Sequence, residues 1–440
     1  MSQTSSADVL NIFKKVYGDL TNLLPEDYPL ARDIAFSQRM KVGESYVEAV
    51  VLTNETGITL SSSTDAFELN PAIAGTIKQT TVTPYISVLP SIVPWGVISR
   101  SAGGGDKAFI EATKFIVRNN LKSHGKFQEI LRLYGQATAL LGYVSYATAT
   151  YRGASFTTGT GTLNGITFTN GVNTTSKAIL LAPGQFAAGI WVGMEGVKVL
   201  EVNSSGTIVA SGKLVSVQSQ YGYITVDFTP VVATAATGSG SMRLCFDGMQ
   251  SANDYIGINK ILTTSGTLFG VDNSLYSLWQ GNNIPVSNQR FTMSVLQTGV
   301  AQAVNKGGLE GDLRVYVNPR TWATLTTTEA GLRVYDESYK VSGAENGFES
   351  VTFYTQAGKA EIMPHRYVKE GEVYALHLPT WSRSGSAEVS FSIPGMNQEV
   401  IFPLQNQAGY AFRSYSDQYV FCHQPAVNII FTGVNDEASS

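Results

Sequence analysis

The sequence predicts an α+β chain, rich in β-structure, in which an all-β segment is set into a mixed host. Three observations predict it. Only 15% of the 440 residues are charged, against roughly 25% in an ordinary soluble domain. Yet 43% are hydrophobic, and 20 Phe with 21 Tyr supply ample core, which excludes a disordered chain. A long helical pattern spans 106–137. Residues 155–250 then carry eight charges in 96 positions (Lys177, Glu195, Lys198, Glu201, Lys213, Asp227, Arg243 and Asp247). A chain that folds with so little charge is expected to have much of its surface covered.

Along the chain, residues 7–24 read as an amphipathic helix. Val9, Ile12, Phe13, Val16, Leu20 and Leu24 share one face, Ser5 with Asp8 suggests a capping box, and Pro25 stops it. Residues 40–82 read as a hairpin-like extended loop. Tyr46–Leu52 is strand-like, Asn54–Gly57 is a turn, and Phe67, Leu69, Ile73 and Ile77 are scattered among polar residues. An isolated two-stranded ribbon is marginal in water, so this loop is expected to be completed by another chain.

A strand over Tyr85–Arg100 leads through Gly103-Gly104-Gly105 into the long helix. Phe109, Ala112, Ile116, Leu121, Ile130, Leu131, Tyr134 and Ala137 sketch its buried side, and Gly125 is a candidate kink. Lys114, Arg118 and Lys122 lie at i, i+4 and i+8 and share another face, a candidate for charge contact. The triple glycine is no phosphate loop, because the Lys-Ser/Thr pair is missing. The 155–250 stretch alternates as short strands around turns such as Asn203–Gly206, predicting a small antiparallel sandwich or barrel. Beyond 251, Thr292–Asn305 has helical spacing. Leu313–Val317 and Val373–Leu378 read as core strands, and Tyr419–Gly433 as a strand pair broken at Pro425.

Chemistry is sparse. His124, His365, His377 and His423 form no zincin spacing, and no G-x-S-x-G elbow appears. Asp336, Glu337, Glu345, Glu349, Glu361, Glu370 and Glu372 read as solvated loop acids. Cys245 and Cys422 match no metal or redox spacing and read as reduced, half-buried thiols. No catalytic residue, metal ligand or cofactor is predicted. The opening Met1–Asp8 lacks the features of a signal peptide. The charge-free stretches Leu133–Tyr151 and Gly153–Ser176 are too polar for a membrane span. A net charge of -4 disfavours general adhesion to nucleic acid.

Several phrases, in order, resemble the major capsid protein of tailed bacteriophages with the Hong Kong 97 fold. Ile130–Gly135 is similar to the end of that family's spine helix. Gly257–Leu262, Gly266–Asp272 and Leu278–Asn282 resemble the lead into its axial domain. Val317–Trp322 resembles a strand running into an axial helix, and Met363–Tyr374 its paired central strands. Arg413–Tyr419 and Ile429–Gly433 resemble the closing peripheral strands.

The resemblance implies an N-terminal arm (1–35), an extended loop (36–84) and a peripheral strand with spine helix (85–154). An inserted β-barrel or β-sandwich domain (155–250), an axial α/β domain (251–400) and returning peripheral strands with the C-terminus (401–440) follow. It implies hexamers and pentamers in an icosahedral shell around double-stranded DNA bound without sequence specificity. A separate scaffolding protein, a portal and decoration proteins are implied partners, with no membrane. The setting would be the virion, assembled in the host cytoplasm. Ile12, Phe13, Val16, Phe67, Leu69 and Ile73 would make intersubunit contacts. Lys114, Arg118 and Lys122 would face the lumen or a neighbour, and the insert would project outward. An encapsulin-like compartment is the alternative of the same fold, and a β-rich carbohydrate-active enzyme the alternative of another class.

Overall fold

The computed structural model describes residues 28–37, 45–95, 106–137, 140–144, 149–157, 159–203, 206–229, 242–249, 254–328, 351–391, 401–404 and 407–437. The expected 7–24 helix and the triple glycine lie outside them.

The long helix runs Asp106–Tyr134. It lies on a five-stranded sheet whose centre is the 14-residue strand Gly409–Cys422. That strand pairs antiparallel with Tyr85–Pro94 on one side and with Trp381–Ser390 and Ile401–Pro403 on the other. Phe36–Ser37 adds a short parallel edge. The strand Trp381–Ser390, expected within an axial segment, therefore belongs to the sheet under the long helix.

A six-stranded sheet forms the second layer, in the order Asn282–Pro285, Ile429–Thr432, Glu372–Leu376, Leu313–Val317, Lys359–Pro364, Val351–Tyr354. Helix Met293–Gly307, capped by the Thr292 hydroxyl accepting from the Val295 N–H, buries Leu296, Val300 and Ala303 beside Val315, Ile429 and Phe431. Two expectations are corrected here. Ile429–Thr432 is not a peripheral strand; it pairs parallel with Asn282–Pro285 and antiparallel with Glu372–Leu376, inside this sheet. The strands within Met363–Tyr374 are not partners of each other, because Leu313–Val317 lies between them.

The β-rich stretch reaches beyond the 155–250 expected for an insert, its sheet starting at Tyr143–Val144. The host chain leaves at Gly135 and returns at Gly257, where the Gly257 N–H donates to the Gly135 carbonyl at 2.9 Å. A Cβ on Gly257 would stand 2.6 Å from the Gly135 nitrogen, so this neck requires glycine. Between them, nine antiparallel strands from Tyr143–Val144 to Met242–Phe246 follow one hydrogen-bonded path. Neither a closed barrel nor two separate sheets is formed by that path among the described residues. Its core is continuous with the host: Leu181, Phe186, Trp191 and Phe246 pack in one cluster with Leu133, Tyr134, Ile258 and Trp279.

Candidate functional site

The extended loop is a real hairpin. Tyr46–Val51 pairs antiparallel with Ile77–Val82 in the register Tyr46↔Val82 to Val51↔Ile77, and Thr56 bridges Ile73 further out. Its base is anchored. The Tyr46 ring stacks on Tyr419 at 5.9 Å and meets Phe421 edge-on at 5.8 Å. The Glu48 carboxylate lies 2.9 Å from His423 Nδ1, and the Thr81 N–H donates to the Phe269 carbonyl. Burial and the Glu48 charge push the Tyr46 hydroxyl up to about 12, so it stays neutral.

Its outer part carries apolar side chains, scattered among polar ones, that are uncovered. Leu60 is 91% exposed, and the three residues expected to make contacts, Phe67, Leu69 and Ile73, are 49%, 75% and 61% exposed. Leaving such side chains in water forfeits about 1.5–3 kcal/mol apiece. The strand Tyr85–Pro94 is inside out as well: Ser87 and Ser91 bond towards the long helix, while Ile86 and Val88 face solvent.

The long helix meets its sheet through a polar seam. Asn120 Nδ2 donates to the Leu89 carbonyl at 3.1 Å and to Ser91 Oγ at 3.0 Å. His124 bridges Ser87 and Ser414 at 2.8 Å each. Gln128 donates to Ser87 at 2.6 Å and accepts from Gln418 at 2.7 Å. Burial, then the Arg132 charge, lowers the His124 imidazole to about 4, so it sits neutral.

The seam ends in a charged hub. The Glu129 carboxylate accepts from the Leu30 N–H (2.7 Å), Arg132 Nη1 (2.7 Å) and His365 Nε2 (3.2 Å). Burial pushes that carboxyl up, but the His365 bond, the Arg132 charge and the Leu30 N–H outweigh it and hold it below the usual range. Arg383 adds bonds to the Gln418 side chain and to the Ile34 and Ala31 carbonyls. One point thus joins residues 30–34, the long helix, the strands Trp381–Ser390 and Gly409–Cys422 of its sheet and the loop at His365.

The remaining sequence-derived residues fall as follows. Ile12, Phe13 and Val16, and the side chain of Lys114, lie outside the described residues. Arg118 is exposed but Lys122 is buried, its carbonyl accepting from Tyr28, so these two do not form one outward row. Gly125 lies against the Tyr28 ring. Glu370 and Glu372 are not solvated loop acids; both are buried and paired. The two thiols are fully buried, and burial lifts each to about 12. The seam itself was missed, although Asn120, His124, Gln128 and Arg132 repeat every four residues, the signal of one helix face. Among the described residues no His, Cys, Asp and Glu gather in a group able to hold a metal. None of their helices is long and apolar enough to cross a membrane.

No protein-family model matches the chain, and no curated protein sequence does. Solved structures do. The capsid asymmetric unit of cyanophage A-1(L) superposes with a TM-score of 0.53 at 9% identity, covering 94% of this chain and 95% of that one. The capsid of a native GTA particle gives 0.47 at 8% identity, over 99% of each chain. The holo-SrpI encapsulin of Synechococcus elongatus PCC 7942 gives 0.41 at 7% identity, over 96% of this chain and 95% of that one. The two lower scores carry no weight. The first, on top of a long helix over one sheet, a second mixed sheet and an extended hairpin, shows that this chain has the Hong Kong 97-type capsid fold.

Proposed function

We propose that this chain is the major head protein of a tailed double-stranded DNA phage, acting by assembly and not by catalysis. Hexamers and pentamers of it would tile an icosahedral shell around the genome. The observation that carries the reading is the hairpin 46–82: firmly anchored at its base, with Leu60, Phe67, Leu69 and Ile73 uncovered beyond it. The inside-out strand Tyr85–Pro94 supports it by turning Ile86 and Val88 outward. A second copy of the chain is the occupant that recurs at every position of a closed lattice. A separate scaffolding protein, a portal and decoration proteins would complete the head, assembled in the host cytoplasm and ending in the virion. The DNA would be enclosed without sequence readout, in keeping with the net charge of -4.

Electron microscopy of the purified chain, co-expressed with its scaffold, tests this. Closed shells are expected for the wild type. The triple variant Phe67→Ser, Leu69→Ser, Ile73→Ser should give folded subunits and no shells. A monomeric wild type under assembly conditions would overturn the reading, as would native particles filled with enzyme cargo in place of DNA.

A further inference from the structure

The insert is tied to the host at a second place, far in sequence from the Gly135/Gly257 neck. Its turn at 184–186 lies against residues 370–371. The Glu370 N–H donates to the Phe186 carbonyl at 3.1 Å, and the Gly371 N–H donates to the Gly184 carbonyl at 2.8 Å. A Cβ on either glycine would fall 2.8 Å from the Cα of the other, so the backbones touch. From the other side the Val434 N–H donates to the Gly371 carbonyl at 3.1 Å.

A charged cluster closes over this contact. Arg152, in the turn of the insert's Ala149–Phe156 hairpin, reaches Glu370 at 2.5 Å. Its own backbone N–H donates to the Glu437 carboxylate at 2.6 and 2.8 Å. Arg320, at the start of helix Pro319–Thr328, contacts Glu437 at 2.7 Å and Glu370 at 3.6 Å. The Thr321 hydroxyl donates to Asp436 at 2.9 Å. Burial pushes the Glu370 carboxyl up, while Arg152 and Arg320 oppose it.

We propose that segment 434–437 is a strap that locks the hairpin Ala149–Phe156, and through the Arg152 bond to the Ser219 carbonyl the nine-stranded sheet, onto the six-stranded sheet, making the insert an internal brace of the subunit. The segment leaves the interior strand Ile429–Thr432 and bonds to the insert hairpin and to helix Pro319–Thr328 together. Lys126 Nζ, donating to the Val192 carbonyl at 2.8 Å, ties the same insert to the long helix. The three parts move as one body. These contacts lie within one chain, so the proposal does not rest on the shell reading.

Hydrogen–deuterium exchange on the full chain tests it. In Glu437→Ala, peptides covering 149–156 and 184–187 should exchange about tenfold faster or more, since a bond to a charged group is lost. Glu437→Gln should give a smaller acceleration. Asp247→Asn, which breaks the exposed Lys198–Asp247 pair elsewhere in the insert, should give none. Strands 223–229 and 313–317 should keep their wild-type rates throughout. Unchanged exchange at 149–156 and 184–187 in Glu437→Ala overturns the strap. So does equal acceleration at 223–229 and 313–317, which would mean a global loss of stability. Should Glu437→Ala not fold, Glu437→Gln decides on the same peptides.

Discussion

Two helices of this chain lie over sheets, and they do so with opposite chemistry. Helix Met293–Gly307 turns Leu296, Val300 and Ala303 into a dry core with Phe431 and Val315. The long helix turns Asn120, His124, Gln128 and Arg132 onto Ser87, Ser91, Ser414 and Gln418. Apolar burial is non-directional and roughly proportional to area, so it holds the first helix without fixing its register closely. Hydrogen bonds have narrow distances and angles, so each rung of the second interface pins one helical residue to one strand residue. The strand Tyr85–Pro94 makes the trade visible: Ser87 and Ser91 bond inward, while Ile86 and Val88 are left facing out. The seam gives up apolar burial for a fixed register and leaves Ile86 and Val88 exposed.

The largest effect should come from breaking the hub at the end of the seam. Glu129→Leu leaves Arg132 buried without its carboxylate partner, and losing one partner of a buried pair costs roughly 3–5 kcal/mol. Adding Arg132→Met should recover only part of that loss, because the buried Leu30 N–H and His365 Nε2 still lack the carboxylate. Denaturant unfolding of the three proteins checks both. If Glu129→Leu costs under about 1 kcal/mol, the polar interface is not what holds the helix. In the dry interface, Leu296→Ala should cost about 2–5 kcal/mol through lost transfer energy and the cavity left behind. No second substitution confined to polar partners should rescue it.

Much of this fold was legible in the sequence. Leu313–Val317 is a strand as read, the long helix and the Thr292-capped helix are present, and the 40–82 loop is a hairpin. The seam was not legible, because assigning a buried face by hydrophobicity presumes an apolar core. Leu121, placed on the buried side, is exposed, while neighbouring Asn120 is buried. The matching serines at 87 and 91 share one strand face, and read against the four-residue polar repeat of the helix they would have shown it. Nor could sequence order place Ile429–Thr432, since its partners lie at 282–285 and 372–376. Sheet membership there is set by packing between distant segments.

The seam should also answer to pH where the dry core does not. The folded value of His124, about 4, lies below the ordinary value of about 6.5. The unfolded chain therefore takes up the proton first. The contribution is fully present above pH 6.5 and is lost as pH falls towards 4, by about 3 kcal/mol at most. Buried Glu201 and Asp254, raised to about 7 and about 6, run the other way: as folded values raised above the unfolded ones, they favour folding on the acid side. The wild-type profile mixes these slopes. The difference between wild type and His124→Gln, measured from pH 4 to 7, removes the shared carboxylates and should show the histidine slope alone. A flat difference would mean that His124 is not held neutral between its two serines.

The smallest effect, and the sharpest test of the contrast, lies at Asn120. It is the rung farthest from the hub, and it bonds to one carbonyl and one half-buried serine. Asn120→Ala should cost about 1 kcal/mol, the usual net value of a neutral hydrogen bond. Asn120→Leu combined with Ser91→Ala replaces both side-chain partners by apolar groups and should be close to neutral, because Leu89 also sits in the strand ladder opposite Ser414. Thermal unfolding of the three proteins decides between two pictures. If the cost falls from Glu129 to Asn120, stability is concentrated at the hub and the outer rungs serve register. If Asn120→Leu with Ser91→Ala costs as much as Glu129→Leu, every rung is equally needed, and the seam is a single cooperative network from one end to the other.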